Sequence, residues 1–213
     1  MENRKEIMNL HVQHHFHDLP ETVKFDSLVA VDTEAMGLNL HRDRLCVVQL
    51  SGGDGICHVV QLNQDHRYDA PHLKRVLTDP DITKIFHFGR FDIAVLYKYL
   101  EVTTQPVYCT KIASKLVRTF TERHGLRDLC KDLLSIDISK DHQTSDWGEP
   151  HLTPEQLKYA ATDVLYLHKI KEILDRRLVR EGRQKLAQAC FDFLPTCAKL
   201  DLLGYSQLNI LEH

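Results

Sequence analysis

Residues 27–38 read SLVAVDTEAMGL, an apolar and β-prone run that ends in two carboxylates, Asp32 and Glu34. The run predicts a buried strand, because an exposed strand would alternate apolar with polar residues. Side chains two positions apart on a strand lie on the same face, so we expect both carboxylates to point one way and Thr33 to point the other way. A D-x-E pair alone is common, and its meaning depends on the other acidic residues of the chain.

A third carboxylate follows another strand-like segment. Residues 82–88 predict a strand and residues 91–100 predict a helix, which places Asp92 in the first turn of that helix. A helix N-terminus favours an acidic residue through its dipole, so Asp92 also has a purely structural interpretation. Its combination with the other carboxylates is what favours a functional role.

The fourth carboxylate lies on a late helix whose start is well marked. Thr153 is the predicted N-cap, Pro154 occupies the first helical position, and Gln156 is placed to complete a capping box. Tyr159 and Asp163 then lie four residues apart, on one face of the helix. An ordinary amphipathic helix, with a packed tyrosine and a solvated aspartate, would show the same pair.

Four carboxylates with no compensating charge in their own motifs are typical of a site for hard divalent cations, which prefer oxygen ligands. A two-metal site cleaves phosphodiesters when one ion activates water and the other stabilises the leaving oxygen. An unperturbed phenol titrates near pH ~10, so we expect Tyr159 to orient the attacking water and not to be the final acceptor of its proton.

The three motifs, in this order, resemble those of the DEDD exonuclease superfamily, in its tyrosine-bearing branch and specifically of the ribonuclease D type. The linking segments HRDRLCVVQLSGGDG, CTKIASKLVRT and SDW are similar to those of the short bacterial ribonuclease D-like proteins called nanoRNase C, or NrnC. The resemblance covers residues 28–166. It implies two Mg²⁺ or Mn²⁺ ions held by Asp32, Glu34, Asp92 and Asp163. It also implies that Tyr159 orients the attacking water.

The pattern of elements predicts an α/β fold with a mixed, five-stranded sheet flanked by helices, and the resemblance implies that this fold is ribonuclease H-like. After the strand that carries Asp32, strands are predicted at 44–50 and 56–61, joined by a hairpin turn. Further strands are predicted at 82–88 and 107–110.

The histidine-rich segment HVQHHFH, residues 11–17, has the alternation of an edge strand. A zinc site needs a closed set of four ligands, and no cysteine pair is placed to complete one. We therefore predict a surface strand here and no metal site.

The chain of 213 residues predicts a single exonuclease domain, residues 1–213. Its helical C-terminal segment, about residues 183–210, either caps the core or forms a subunit interface, and residues 211–213 resemble a vector remnant. Six cysteines without C-x-x-C spacing, a charged N-terminus and the lack of a long apolar run predict a reduced, cytoplasmic protein.

The formal net charge of −3 lacks the basic excess expected of a protein that grips long nucleic acids. Positive charge is concentrated in two runs, each either a solvated helix face or a phosphate-binding surface. The first run is Lys111, Lys115, Arg118, Arg123, Arg127 and Lys131; the second is Lys169, Lys171, Arg176, Arg177, Arg180, Arg183 and Lys185.

Three residues are candidates for substrate binding. Leu38 stands where a similar motif of oligoribonuclease places a leucine that wedges between two bases, although a core position would also suit a leucine. Arg90 and Lys111 are candidates for the 5′-phosphate. Arg90 belongs to a Gly89-Arg90 pair that stands where many relatives have a small or amide residue.

The leading functional hypothesis is a two-metal-ion 3′-5′ exoribonuclease that releases nucleoside 5′-monophosphates from very short RNAs, especially 5′-phosphorylated dinucleotides. One alternative is a general 3′-5′ exonuclease that trims longer RNA or DNA, including single-stranded ends. A second alternative is a catalytically silent nucleic-acid-binding scaffold. The resemblance also suggests a homo-oligomer, for example an octameric ring, and no membrane partner is expected.

Overall fold

A computed structural model describes residues 11–62, 68–138 and 145–205. The six strands of its sheet are, in chain order, β1 (His11–Phe16), β2 (Leu28–Ala35), β3 (Leu45–Ser51), β4 (Ile56–Gln61), β5 (Thr83–Phe86) and β6 (Val107–Cys109). They are arranged in the order β1-β4-β3-β2-β5-β6. The predicted residues 206–210 of the C-terminal segment, and residues 211–213, lie outside the described part of the chain.

The sheet is mixed. Strands β2, β3 and β4 pair antiparallel, as predicted, whereas β1 pairs parallel with β4, β5 with β2, and β6 with β5. The predicted count of five strands was wrong by one. The histidine-rich segment, predicted separately as an edge strand, joins the same sheet as β1, where the side chain of His14 contacts Gln61 of β4 at 3.0 Å.

The helices are α1 (Pro71–Thr78), α2 (Arg90–Leu100), α3 (Thr110–Val117), α4 (Leu126–Leu129), α5 (Pro154–Leu165), α6 (Leu167–Arg180) and α7 (Gln184–Leu202), with a π-helical turn over Cys130–Leu134. Helix α5 packs on β2, β3 and β4, and α7 packs on α2. Within the described residues, no helix is both long and apolar enough to cross a membrane.

Helix α5 begins where its sequence predicts. The Thr153 hydroxyl accepts from the Gln156 backbone at 3.2 Å, and the Gln156 side chain accepts from the Thr153 backbone at 2.9 Å, which completes the capping box. The face of α5 that meets the sheet carries the buried alanines Ala160 and Ala161. Since small side chains allow close packing, this face brings the helix near the strand that carries the first carboxylates.

Candidate active site

Three of the predicted carboxylates converge. Asp32 and Glu34 lie on β2, which runs under α5, and Asp163 lies on α5 itself. Their ligand oxygens all lie within 4.8 Å of one another. The pairing of β2 with β3 becomes irregular between Glu34 and Ala35, as often happens beside functional sites, where a bulge redirects a side chain. We call Asp32, Glu34 and Asp163 the acid cluster.

The fourth carboxylate, Asp92, lies beside the acid cluster without joining it. Its Oδ1 accepts hydrogen bonds from the Thr33 hydroxyl at 2.6 Å and from the Thr33 backbone at 3.1 Å. These hydrogen bonds from Thr33 hold α2 against β2. This contact links residues that are 59 positions apart in the chain.

Burial raises the pKa of each of the four carboxyls, and repulsion from neighbouring acids raises the pKa of Asp32, Glu34 and Asp163 further. Burial dominates for Asp32 and Glu34, whose pKa values lie well above the usual range and are raised further by the neighbouring acids. Burial also raises the pKa of Asp92 to about 6 and that of Asp163 to about 7. No cationic side chain of the described chain is among the groups that shift these four. An uncompensated, oxygen-only set of ligands fits a divalent cation.

Tyr159 lies one helical turn before Asp163, and the two side chains are close enough for each to shift the pKa of the other. Burial, followed by the charge of Asp163, raises the pKa of the phenol, so the hydroxyl stays protonated and acts as a donor. The Trp147 ring lies 6.1 Å from the Tyr159 ring, between centroids. Gln156 holds the segment that carries Trp147, because its side chain donates to the Asp146 carbonyl at 3.0 Å.

All five predicted catalytic residues line one open cavity of about 1160 Å³. Its other walls are apolar and basic. The apolar wall includes Met36, Leu38, Phe88, Phe91 and Trp147, and the basic wall consists of Arg123, Arg127 and Lys131.

Leu38 projects into solvent at the cavity, with 85% of its surface exposed, so the alternative interpretation as a core residue was wrong. The loop that carries it is held by Asp43, whose Oδ2 accepts from the Asn39 backbone at 2.9 Å. A Cβ on Gly37 would lie 2.3 Å from this same oxygen, so the loop requires glycine there.

The two predicted phosphate ligands lie at or beyond the cavity edge. Arg90 donates from Nε and Nη2 to the carboxylate of Asp201 on α7, at 2.6 and 2.5 Å, and it does not line the cavity. Lys111 places its Nζ 3.6 Å from the centre of the Phe88 ring, which does line the cavity.

The first basic run divides between two roles. Arg118 is only 1% exposed and pairs with Asp132 while donating to the Arg123 carbonyl at 2.9 Å, so it is neither a solvated nor a phosphate-binding residue. The basic wall comes from the same run, and each of its arginines pairs with an acid: Arg123 with Asp128, and Arg127 with Asp137. In the second run, the pairs Lys171–Asp175 and Arg176–Glu172 on α6 are typical of a solvated helix face.

Sequence reasoning missed several residues at the site. His87 and Trp147 line the cavity, and Gln49 lies directly opposite Asp32 in the β2–β3 pairing, fully buried. Gln49 is the only polar residue in the stretch LCVVQL, which was an available signal. No local signal marks His87 or Trp147, because their place at the site depends on the path of the chain.

The ribonuclease H-like sheet and the acid cluster define the class of protein as a carboxylate-based 3′-5′ exonuclease, and the comparisons agree. A family model described as 3′-5′ exonuclease matches residues 10–179, and the chain therefore belongs to that family. Within it, the chain is 52% identical to Brucella melitensis NrnC with bound Mg²⁺, with a TM-score of 0.90 over 95% of this chain and 99% of that one. The predicted resemblance is confirmed.

Two further relatives place the chain more broadly. Ribonuclease D of Granulibacter bethesdensis is 34% identical over 162 residues, which are 76% of this chain and 40% of that protein. The chain thus spans about 40% of the length of this curated relative. Escherichia coli RNase D, 24% identical with a TM-score of 0.71 over 81% of this chain and 45% of that one, shares the fold.

Proposed function

We propose that this protein is a metal-dependent 3′-5′ exoribonuclease that releases nucleoside 5′-monophosphates from very short RNAs, with 5′-phosphorylated dinucleotides as preferred substrates. The acid cluster, uncompensated and open to a cavity, is the observation that carries the proposal. Two divalent cations, Mg²⁺ or Mn²⁺, would supply an activated water and stabilise the leaving oxygen.

The residues of the chain have separate roles in this proposal. Asp32, Glu34 and Asp163 hold the cations, and Asp92, fixed by Thr33, completes the ligand set. Tyr159 donates from its protonated hydroxyl and orients the attacking water, because burial keeps its pKa too high for it to serve as the base.

The short-substrate preference rests on the charge of the cavity. Affinity for a long strand grows with the number of cations that meet its phosphates. Here Arg123 and Arg127 are already paired with acids, and the chain carries a formal net charge of −3. A solved structure of Brucella melitensis NrnC bound to pGG belongs to a protein 53% identical to this chain, with a TM-score of 0.92 over 96% of this chain and 99% of that one, which supports the same substrate class.

Specific contacts to the two nucleotides follow from the exposed side chains. Leu38 is proposed to wedge between the bases, and Phe88, 55% exposed, offers a ring on which a base can stack. Lys111 is proposed to contact the 5′-phosphate. Arg90 would do so only by exchanging its partner Asp201 for the phosphate.

Assembly and location complete the proposal. Helix α7 exposes Leu186 and Phe193, which supports a homo-oligomer, such as an octamer, built through this helix. The four cysteines Cys46, Cys57, Cys109 and Cys130 are buried and unpaired, which supports action in the reducing cytoplasm.

The test is a series of 5′-phosphorylated RNAs from two to twenty nucleotides, with DNA counterparts, followed at single-nucleotide resolution in Mg²⁺. We expect kcat/KM to be highest for the dinucleotide, to fall with each added nucleotide, and to drop when the 5′-phosphate is removed. Equal or better efficiency on the twenty-nucleotide RNA would establish the general exonuclease instead. Absence of metal-dependent turnover on every substrate would establish the silent scaffold.

A further inference from the structure

His87 lines the cavity and has no role in the proposed reaction. It follows β5 directly and precedes α2, and its ring forms part of the cavity wall. The turn after it is tightly defined: Phe88 has a left-handed φ of 62°, and a Cβ on Gly89 would lie 2.5 Å from the Phe86 Cβ. A non-glycine residue with positive φ costs energy and is concentrated at functional sites. The backbone therefore has a defined path directly after His87, and the ring itself is held by its contact with the Thr110 hydroxyl.

The tautomer of His87 follows from its hydrogen bonds. Its Nδ1 lies 2.9 Å from the Thr110 hydroxyl oxygen, and that hydroxyl donates to the Phe86 carbonyl at 3.2 Å. A hydroxyl has one hydrogen, and Thr110 gives it to the Phe86 carbonyl. With the hydroxyl in that orientation, Nδ1 is the donor to the Thr110 oxygen. In a neutral ring with Nδ1 protonated, Nε2 is a hydrogen-bond acceptor.

The ring stays neutral at working pH. Burial, with a smaller contribution from the positive charge of Lys111, lowers the pKa of His87 to about 3. Within residues 11–62, 68–138 and 145–205, no group bonds to its Nε2, and this atom is not enclosed in the protein. The cavity wall thus presents a permanent, neutral acceptor.

An acceptor of this kind selects the chemistry of its partner. A phosphate oxygen would oppose its lone pair to that of Nε2, so the partner must be a donor. Among nucleotide donors, the base N–H groups differ from base to base, whereas the ribose hydroxyl is common to all four ribonucleotides and is the group that distinguishes RNA from DNA. An exonuclease that degrades RNA of any sequence needs the common group.

We propose that Nε2 of His87 accepts a hydrogen bond from a ribose 2′-hydroxyl of the substrate, which makes His87 a specificity-determining residue for RNA over DNA and Thr110 the residue that sets its tautomer. This inference rests on the proposed function and adds a sugar specificity to it.

The test uses four 5′-phosphorylated dinucleotides of one base sequence: all-ribo, 2′-deoxy at either single position, and all-deoxy. Dissociation constants are measured in Ca²⁺ and kcat/KM in Mg²⁺. For the unmodified protein, we expect about a tenfold penalty in both quantities at one of the two positions, since an acceptor is left unpaired there. His87→Phe should weaken the all-ribo ligand by about tenfold and bring the ribo-to-deoxy ratio close to one.

The Thr110 variants separate the hydrogen bond from simple packing. Thr110→Val removes the acceptor for Nδ1–H and should lower the ribo-to-deoxy ratio, whereas Thr110→Ser keeps the hydroxyl and should restore it. Melting temperatures establish that each variant folds. A measurement that needs no variant is the ¹⁵N NMR shift of His87 Nε2, which should start in the pyridine-type range and move upfield when the all-ribo ligand binds.

The inference would be overturned if the unmodified protein bound ribo and deoxy ligands equally well, or if His87→Phe left the ribo-to-deoxy ratio unchanged. It would also be overturned if Nε2 were protonated in the free protein, or if the loss of affinity depended on the 3′-hydroxyl or on the base. The binding data decide this without turnover. Sugar-dependent binding with no cleavage would disprove the proposed activity alone, and cleavage with no sugar preference would disprove the role of His87 alone.

Discussion

The acid cluster and the basic wall face the same cavity but are built in opposite ways. The acids stand on β2 and α5, and no cation of the described chain neutralises them. The basic wall stands on the short helix α4, the π-helical turn and the loop before them, and its cations meet acids of their own. Lys131 lies close enough to Asp137 to help lower the pKa of that carboxyl.

The acid cluster and the basic wall therefore differ in the ligand that each can bind favourably. A cluster of unneutralised, half-buried acids costs free energy until a cation binds, so the site favours metal binding. A cation that already has a carboxylate partner gains little from a phosphate, because one ion pair replaces another. We therefore expect the cavity to attract divalent cations strongly and additional phosphates weakly, which is the electrostatic argument for the proposed short-substrate preference.

The strongest test of this difference replaces one acid of the acid cluster and, as a control, one acid that pairs with the basic wall. Asp163→Asn should reduce turnover by roughly a thousandfold or more, because preorganised charge at the reacting phosphate is lost. The fold should remain, with metal-free stability equal to or higher than that of the parent, since repulsion with Asp32 and Glu34 is relieved. Mg²⁺ should raise the melting temperature of the variant less than that of the parent.

The matched control is Asp137→Asn, which removes an exposed acid that pairs with Arg127 of the basic wall. Exposed ion pairs contribute little, so we expect turnover within roughly threefold of the parent. Comparable losses in the two variants would show that the acid cluster has no special role, and the metal-site assignment would fail.

A smaller effect is expected at Tyr159. Tyr159→Phe should lower kcat by roughly ten- to a thousandfold, as for the loss of one water-orienting donor. Substrate affinity in Ca²⁺ should change little. Tyr166→Phe is the control, because Tyr166 directly follows α5 but does not line the cavity. Equal losses of binding and rate in Tyr159→Phe would mark the ring as a substrate-packing group instead.

The same comparison explains how much the sequence could predict. The ends of β2 and α5 carry local signals, an apolar run and a capping box, so the elements bearing Asp32 and Asp163 were predictable from short stretches. The hydrogen bonds from Thr33 to Asp92 join distant positions, and no local pattern encodes them. The sequence predicted Asp32, Glu34, Asp92 and Asp163 as metal ligands without ranking them, and the structure places the ligand oxygens of Asp32, Glu34 and Asp163 within 4.8 Å of one another.

The basic wall was the harder region to predict. Arg118 belongs to the same charged run as its neighbours, yet it is buried. Its guanidinium pairs with Asp132 and donates to the Arg123 carbonyl, while its Nε has no partner among the described residues. Whether a cation of the run is solvated, buried or turned toward a cavity depends on acids brought close by folding. Likewise, Arg90 could not be recognised as a partner of Asp201, which lies 111 positions away.

The mildest test is the pH dependence of stability in the metal-free protein. The folded-state pKa values of the acid cluster and Asp92 are raised, to about 6 for Asp92 and about 7 for Asp163, whereas unfolded carboxyls titrate near ~4. Between these limits the folded protein binds more protons at these carboxyls than the unfolded chain does. Their contribution to the free energy of unfolding is therefore fully present below about pH 4 and is lost as the pH rises through about 7. Denaturant melts in a chelator should show this decline from pH 5 to pH 8, and Asp163→Asn should flatten it.

Added Mg²⁺ should act oppositely and stabilise more as the pH rises, since protons and the cation compete for the same oxygens. A chelator-treated protein that gains stability over this range would mean that the acids are compensated in the fold, and the contrast with the basic wall would disappear.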